Sequence, residues 1–328
     1  MKRLSVYILL LLPVLLGSGC IGDDVSDCPS TISLKVTAEI TVGSPSADNT
    51  FNQTGVYVFD TSGVLVDYGR FVSDGGTSDQ VVELTVAEGQ YTIVTWCGAD
   101  FSDDYEVVAV GPAGTLTGVF VKGETRLADM RLRAKADGVS NTRMGNLFWS
   151  ELTKVTVTRG VNQVRLNSQL QKNSNLVEVV LKGVGEVSPT SRAGDAPADS
   201  RYEVRLSTVA GVYNFDNTTD RSLSSDYVYL PYEAESKGGD LYMRLRTMRL
   251  FIDTPVTLTV TDRRTGAVLY SADLIELIMK NPAYKTQEDL DREDVYRIEV
   301  GGGSTTPGTG ITITVNGWEV IVLVPGYG

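Results

Sequence analysis

Histidine is absent from the 328 residues of this chain. Without imidazole the chain has no Ser-His-Asp or Cys-His arrangement, and zinc sites built on histidine are excluded. Catalysis would depend on carboxylates or lysine alone. We therefore predict a protein that is not an enzyme and that has no metal site, no cofactor and no small-molecule substrate.

Cysteine is scarce, with only Cys20, Cys28 and Cys97. Two alternatives are open for Cys28 and Cys97. As a disulfide in an exported protein they would close a long loop and stabilise the fold by roughly 4 kcal/mol. As separate thiols, Cys97 would be buried at the end of a strand.

Acidic residues outnumber basic residues in this chain. There are 29 Lys and Arg against 41 Asp and Glu, so the net charge is -12 and the pI is about 4.6. A surface of this sign repels nucleic acid and anionic lipid headgroups. The predicted partners therefore exclude nucleic acid.

Long apolar runs are limited to one, from Leu4 to Leu16. This run is shorter than the ~20 residues that a membrane-spanning helix needs. Small residues separate it from Cys20, as at a lipoprotein cleavage site, so we predict a signal peptide at 1–19 and a lipidated tether at 20–30. Several acyl chains, at ~0.8 kcal/mol per buried methylene, would hold the protein at a membrane. An uncleaved or differently cleaved signal is the alternative.

The rest of the chain is patterned for β-strands. Residues 32–42 alternate between apolar and polar side chains, and similar short runs recur, separated by turn residues. This pattern is typical of β-sandwiches. The alternation stops after about Ala136 and then resumes, so we place a domain boundary near Lys135. The predicted fold is all-β, with an N-terminal β-sandwich at 31–135 and a C-terminal β-sandwich at 136–300.

Two segments predict hairpins of the same design. Val56 to Val66 and Leu258 to Tyr270 each combine a strand, an Asp-led turn closed by Gly63 or Gly266, and a second strand. The repeat favours two related domains, and chance is the alternative. The one convincing helix runs from Ala272 to Asn281, with a continuous apolar face and a proline behind it.

Acidic and aromatic clusters are the remaining candidates for chemistry. No acidic cluster has the spacing of a calcium loop, so solvated faces or turns are expected. The densest acidic cluster contains Asp289, Asp291, Glu293 and Asp294. A group of tyrosines predicts either a glycan platform or cross-strand packing, and it consists of Tyr227, Tyr229 and Tyr232.

The C-terminal tail follows a Gly-rich linker at 301–310, and we predict a strand or hairpin at 311–328. Asn316-Gly317 favours a two-residue hairpin turn, because both residues accept positive φ. A bulged single strand is the alternative. In the hairpin, paired apolar residues share one face, and these are Ile311, Ile313, Val315, Trp318, Val320 and Val322. The tail either closes the second domain's own sheet or is donated as a strand to another subunit.

Several segments together resemble one family. The most specific is QEDLDREDVYRIEV at 287–300, accompanied by EGQYTIVTWCG at 88–98, the Leu258 to Tyr270 hairpin and NGWEV at 316–320. These look like segments of the fimbrillin-A associated anchor proteins of Bacteroidetes-type fimbriae. The resemblance spans nearly the whole chain after the signal. The sequence departs from the family pattern at Gly17, in the cleavage site, and in its long tail.

The resemblance implies a lipoprotein with two transthyretin-like β-sandwich domains at the base of a fimbrium. It would face the cell exterior from the outer membrane, anchor the fimbrium and limit its length, with fimbrillin subunits as partners. Asp23 and Asp24 resemble the export signal of such lipoproteins, with an ordinary polar tether as the alternative. Fimbrillins of this type polymerise through donor strands after N-terminal cleavage. A subunit that keeps its lipidated N-terminus would only give a strand, and the six apolar tail residues are the candidate donor strand.

Other classes share parts of this description. A surface glycan-binding lipoprotein would share the tether and the sandwiches, and a carboxylate-dependent hydrolase would need two acidic groups at a fixed separation in a cleft. Within the family, a stalk or tip fimbrillin is the nearest alternative, because such subunits lose their N-terminal segment by proteolysis.

Overall fold

The structure is a computed structural model. It describes residues 30–37, 39–42, 51–72, 79–98, 101–111, 114–135, 139–141, 143–158, 164–166, 168–185, 201–223, 226–301 and 311–322. These ranges contain 23 strands, three short α-helices and a 3-10 helix at Leu127–Asp129, which confirms the predicted all-β fold class. Cys20, Cys28 and the Asp23-Asp24 pair lie outside the described residues. No described helix is both long and apolar enough to cross a membrane.

The first part of the chain contributes twelve strands and one helix. They are β1 (Ser30–Thr37), β2 (Glu39–Val42), β3 (Gln53–Phe59), β4 (Leu65–Val72), β5 (Asp79–Val86), β6 (Gly89–Gly98), α1 (Phe101–Asp104), β7 (Tyr105–Val110), β8 (Leu116–Thr117), β9 (Met130–Ala134), β10 (Val139–Ser140), β11 (Leu147–Val157) and β12 (Gln169–Lys172).

The second part contributes eleven strands and two helices. They are β13 (Ser174–Leu181), β14 (Tyr202–Thr208), β15 (Val212–Asn214), β16 (Tyr227–Tyr229), β17 (Glu233–Lys237), β18 (Asp240–Met248), β19 (Val256–Asp262), β20 (Ala267–Asp273), α2 (Leu274–Met279), α3 (Gln287–Asp291), β21 (Val295–Gly301), β22 (Ile311–Val315) and β23 (Trp318–Val322).

Five sheets are formed by these strands. Sheet A pairs β1 with β5, sheet B has the order β2-β12-β11-β6-β3-β4, and sheet C the order β15-β9-β7-β8. Sheets A to C form the N-terminal half of the molecule. Sheet D has the order β10-β16-β14-β19-β20 and sheet E the order β17-β18-β13-β21-β22-β23, and together they form the C-terminal half.

Sheet B is buried on both faces. Along β6, Ile93 and Cys97 pack in one apolar cluster with Leu84 of sheet A. Val94 and Trp96 point to the opposite face and pack in a second cluster, which also contains residues of sheet C. A sheet covered on both faces gives nearly continuous burial along its central strands instead of alternation.

The second apolar cluster continues through the C-terminal half. It includes Val204 and Leu258 of sheet D together with Val179 and Ile298 of sheet E, so the core is continuous between the two halves. The helix predicted at Ala272 to Asn281 is confirmed in shorter form as α2, whose buried side chains join this cluster.

Strands on the two sides of Lys135 share sheets. β11 and β12 follow this predicted boundary but extend sheet B, where β11 pairs with β6 over most of its length. In the other direction, β15 pairs with β9 in sheet C. The chain leaves sheet B for sheet E between Lys172 and Ser174. The division at Lys135 stays a prediction, and the strand pairing places the change of sheets nearer Asn173.

Both predicted Asp-led hairpins are confirmed. In the β3–β4 hairpin, Asp60 accepts from the backbone of Ser62 and Val64 at 2.8 and 2.9 Å. In the β19–β20 hairpin, Asp262 accepts from the backbone of Arg264 at 2.9 Å. Gly63 and Gly266 close the two turns with φ of 76° and 72°, a region that glycine adopts without strain.

Cys97 lies inside the first apolar cluster and forms no disulfide with another described residue. Its side chain is fully buried, and the Thr54 hydroxyl donates a hydrogen bond to its sulfur at 3.5 Å. Burial raises the pKa of the thiol to about 12. This is the environment expected of the separate-thiol alternative. Since Cys28 lies outside the described residues, the pairing of the two cysteines stays a prediction.

Candidate functional site

The C-terminal hairpin has the predicted register. Ile311 pairs with Val322, Ile313 with Val320 and Val315 with Trp318. Asn316 and Gly317 form the turn with φ of 48° and 79°, as a turn with two positive φ angles requires. The pattern that predicted the hairpin therefore also fixed its register, because a two-residue turn allows only one pairing.

The apolar face of this hairpin is buried unevenly. Ile313 and Val315 of β22 are fully buried and Val320 is 5% exposed, whereas Trp318 of β23 is 47% exposed. The side chains of Ile311 and Val322 lie outside the description. The described apolar side chains of β22 therefore belong to the core, whereas β23 contains both the buried Val320 and the exposed Trp318.

The turn is held in place by polar contacts. Asn316 accepts from the backbone N–H of Arg297 at 2.8 Å and donates from its side chain to the Tyr284 hydroxyl at 3.0 Å. Tyr284 in turn donates to Glu293 at 3.0 Å. Burial raises the pKa of the Tyr284 hydroxyl, so it remains a donor. These contacts fix the hairpin against the segment between α2 and β21.

The tail closes its own sheet. β22 pairs antiparallel with β21 through Ile298 and Val315, Val300 and Ile313. Of the two alternatives for the tail, the structure therefore adopts the closed one. Among the described strands, β23 pairs only with β22, so its outer edge is the edge of sheet E.

The 287–300 motif forms a polar junction between the two halves. α3 begins with a capping box between Thr286 and Asp289 and ends with Asp291. The guanidinium of Arg249 donates to Asp291 from two nitrogens, one at 2.7 Å, and Gln171 of β12 donates to the same carboxylate at 2.8 Å. Asp291 therefore connects sheet B to the end of β18.

Asp294 forms a second buried ion pair in this junction. Its carboxylate lies 3.4 Å from the ammonium of Lys172, and the side chains are only 4% and 7% exposed. The expectation that this acidic cluster is solvated is wrong for Asp291 and Asp294. The reason is that Arg249 and Lys172, which neutralise them, are distant in sequence, so no local pattern signals the pairing.

The tyrosine cluster does not form a surface platform. Tyr227 and Tyr229 are 4% and 2% exposed, and their rings pack 4.9 Å apart between centroids. The Tyr229 hydroxyl accepts from the backbone of Met248 at 3.2 Å, linking sheets D and E. These two residues follow the packing alternative. Within the described ranges, no group of three or more His, Cys, Asp or Glu residues is arranged to hold a metal ion.

Comparison with known proteins identifies the family. The sequence profile of the fimbrillin-A associated anchor proteins Mfa1 and Mfa2 matches residues 25–323. The chain belongs to this family. It is 25% identical over 269 residues to the minor fimbrium anchoring subunit Mfa2 of Porphyromonas gingivalis, covering 79% of this chain and 74% of that protein.

Solved structures share the fold of this anchor-family chain. The fimbrial anchor protein Mfa2 of P. gingivalis matches with a TM-score of 0.67 and 20% identity, over 90% of this chain and 99% of that one. A Bacteroides thetaiotaomicron protein, proposed to bind polysaccharide, matches with a TM-score of 0.68 and 22% identity, over 89% and 98% of the chains. At this level of identity the likeness concerns the fold alone.

Proposed function

We propose that this chain is the lipid-anchored base subunit of a fimbrium. Cys20 carries the acyl chains, Asp23 and Asp24 direct export, and the folded part faces the cell exterior from the outer membrane. The partners are fimbrillin subunits. Family membership supports the anchoring role, since the relative in P. gingivalis is itself named an anchoring subunit.

The observation that carries the proposed contact is the edge of β23. In strand addition, an extended segment of a partner pairs with an unoccupied sheet edge and places alternate side chains in pockets. β23 presents such an edge with a half-exposed Trp318 beside it, and tryptophan is enriched among residues that dominate binding energy.

β22 is a poor strand to donate. Ile313 and Val315 are fully buried, and moving them out of sheet E would remove their apolar surface from the core at about 25 cal/mol per Å². β23 is available without this loss. We therefore assign strand-mediated contact to the β23 edge with the closed hairpin in place. A subunit whose tail pairs with its own sheet does not donate that tail to a further subunit. Polymerisation by strand exchange therefore stops at this subunit, and this limits fimbrial length.

The matched pair Glu319→Pro and Glu319→Ala tests this edge. In a two-residue hairpin the closing pair, Val315 and Trp318, exchanges both hydrogen bonds, so the N–H of Glu319 points away from β22. Proline removes that outward donor, and alanine removes only the side chain. We expect cells with Glu319→Pro to shed fimbriae into the medium and cells with Glu319→Ala to retain them.

Thermal unfolding and membrane retention of both variants serve as controls, and both are expected to match the wild type because proline is tolerated at a strand edge. Fimbriae that remain attached in a folded Glu319→Pro variant would refute the edge contact.

Cys20→Ala tests the anchor separately. Without the thiol no diacylglycerol is attached, so the protein should accumulate as precursor or appear in the medium. Cys28→Ala is the matched control and should stay in the membrane. Normal processing and carbonate-resistant membrane association of the Cys20→Ala protein would exclude lipid anchoring.

A further inference from the structure

An exposed apolar loop lies at the end of the N-terminal half where the tether enters. This loop, residues 118–125, follows β8 and carries Val119, Phe120 and Val121 in succession. Val119 is 72% exposed and Val121 is 44% exposed, next to Tyr68 of β4 at 41%. Two exposed valines on either side of Phe120, whose ring contacts the partly exposed Tyr68, are more than the scattered single residues that every surface has.

Ring packing and a hydrogen bond attach the loop to the rest of the fold. Phe120 turns inward, and its ring meets those of Tyr68 and Tyr57 at 4.9 and 6.1 Å between centroids. The backbone of Val121 donates to the Thr125 hydroxyl at 2.7 Å. With Phe120 fixed inward, Val119 and Val121 on either side of it are presented to the outside.

Hydrogen bonds connect this loop to the first residues of β1. Lys122 forms an ion pair with Asp67, and Asp67 accepts from the backbone of Thr85 at 3.3 Å. Thr85 pairs directly with Thr31 in sheet A. The loop therefore lies close to Ser30, where the described chain begins and the tether ends.

The junction lies at the opposite end of sheet B. β6 begins at Gly89, close to the end of β5 and hence to Ser30, and ends at Gly98, which pairs with Leu147. Phe148, the next residue of β11, pairs with Lys172, which belongs to the junction. The Gly98 end of β6 therefore lies beside the junction. The loop and Ser30 thus lie at the end of sheet B that is opposite the junction.

The tether is short. Ten peptide steps separate Cys20 from Ser30, which at ~3.4 Å per residue reach at most about 35 Å. A lipid on Cys20 would hold this end of the molecule near the bilayer surface. The net charge of -12 opposes general adsorption to anionic lipid, so a contact there must be local and apolar.

We propose that Val119 and Val121 insert into the bilayer surface as a second contact beside the lipid anchor. Tyr68 sits at headgroup level, as amphipathic aromatic residues do, and so does Lys122, whose ammonium is paired with Asp67 and lies 5.2 Å from the Tyr68 ring centroid. The contact orients the protein so that the C-terminal half points away from the membrane. This inference rests on the proposed lipidation of Cys20.

The test uses the full-length lipidated protein, with Cys28→Ser, in phosphatidylcholine vesicles. An environment-sensitive fluorophore is attached at Val119→Cys or, as the matched control, at Val72→Cys. Val72 is also well exposed, at 59%, but lies at the other end of β4. We expect the label at position 119 to emit at shorter wavelength and to be quenched by nitroxide-bearing lipids, and the label at position 72 to show neither response.

Three outcomes would overturn the proposal. One is an equal response at both positions. Another is a response at position 119 only after fimbriae are added, which would assign the loop to a protein partner. The third is unchanged quenching of a label at Val121→Cys when Val119→Asp is added. Flotation of the Cys20→Ala protein with vesicles reports on the lipid anchor independently, so failure of the anchor and failure of the loop contact are distinguishable.

Discussion

Lys172, the last residue of β12, and Asp294, just before β21, form an ion pair of 3.4 Å inside the junction between the two halves. Both side chains are almost completely buried, so the attraction between the two charges offsets part of the cost of burying them. A buried pair of this kind stabilises little compared with an apolar pair, but removing one partner leaves a buried charge and costs about 3–5 kcal/mol.

We predict that Asp294→Ala lowers the free energy of unfolding by about 3–5 kcal/mol, because Lys172 stays buried without its carboxylate. The double variant Lys172→Met, Asp294→Leu should recover most of this loss. Denaturant unfolding of the two variants gives both values. A single variant as stable as the wild type would show that the junction admits water.

Two substitutions of Asn316 separate the contribution of its positive φ to stability from that of its side-chain hydrogen bonds. Asn316→Gly keeps the positive φ but loses the contacts with Arg297 and Tyr284, whereas Asn316→Ala loses both. We expect the alanine variant to be less stable than the glycine variant by about 1 kcal/mol, the usual penalty of a non-glycine residue in this backbone region. Equal stabilities would mean that the turn relaxes to another type.

Cys97 should be unreactive in the folded protein. Its pKa of about 12 and its full burial leave almost no accessible thiolate at pH 8. For a soluble form with Cys20→Ser, native alkylation followed by intact mass should add one group, at Cys28, and unfolding should add a second. No alkylation before reduction would instead reveal the disulfide between Cys28 and Cys97.

Stability should be nearly independent of pH in the neutral range, because no histidine titrates there. Hydrogen bonds from Arg201 lower the pKa of Asp262, and those from Lys182 lower the pKa of Asp240. A carboxyl group whose pKa is lower in the folded than in the unfolded protein stabilises the fold at pH values above its unfolded pKa. This contribution is therefore lost as the pH falls below about 4.

At alkaline pH the stability changes in the opposite direction and falls as the pH rises. Burial raises the pKa of Tyr57 and of Tyr229 in the folded protein. Such a buried, uncharged phenol is compatible with the fold below the pKa that tyrosine has in the unfolded chain, and above that pKa ionisation favours the unfolded chain. Stability should therefore fall above about pH 10. Thermal melts across this range check both limits, and a step between pH 6 and 7 would contradict the prediction.

The sequence predicted the local features well, because their signals are local. The Asp60 and Asp262 turns, α2 and the C-terminal hairpin each depend on residues a few positions apart. The alternation of β22 and β23 was sufficient to give the register, since the Asn316-Gly317 turn admits one pairing.

Features that depend on distant residues were not predictable in this way. β11 belongs to sheet B because it pairs with the distant β6, and β12 belongs to it because it pairs with β11 and β2. Asp291 appears in the sequence as one more exposed acid, and its burial depends on Arg249 and Gln171. The apolar loop at Val119 was missed because its exposure depends on Phe120 turning inward.

The eight-pair ladder between β1 and β5 has a mechanical consequence. In the proposed arrangement the tether would leave at Ser30, at the end of sheet A that lies away from the junction, while traction on a fimbrium would arrive through the C-terminal half. The pull then acts along the strand direction, and the rungs of the ladder share the load instead of opening one after another. The first strand after the tether is thus placed to resist shear.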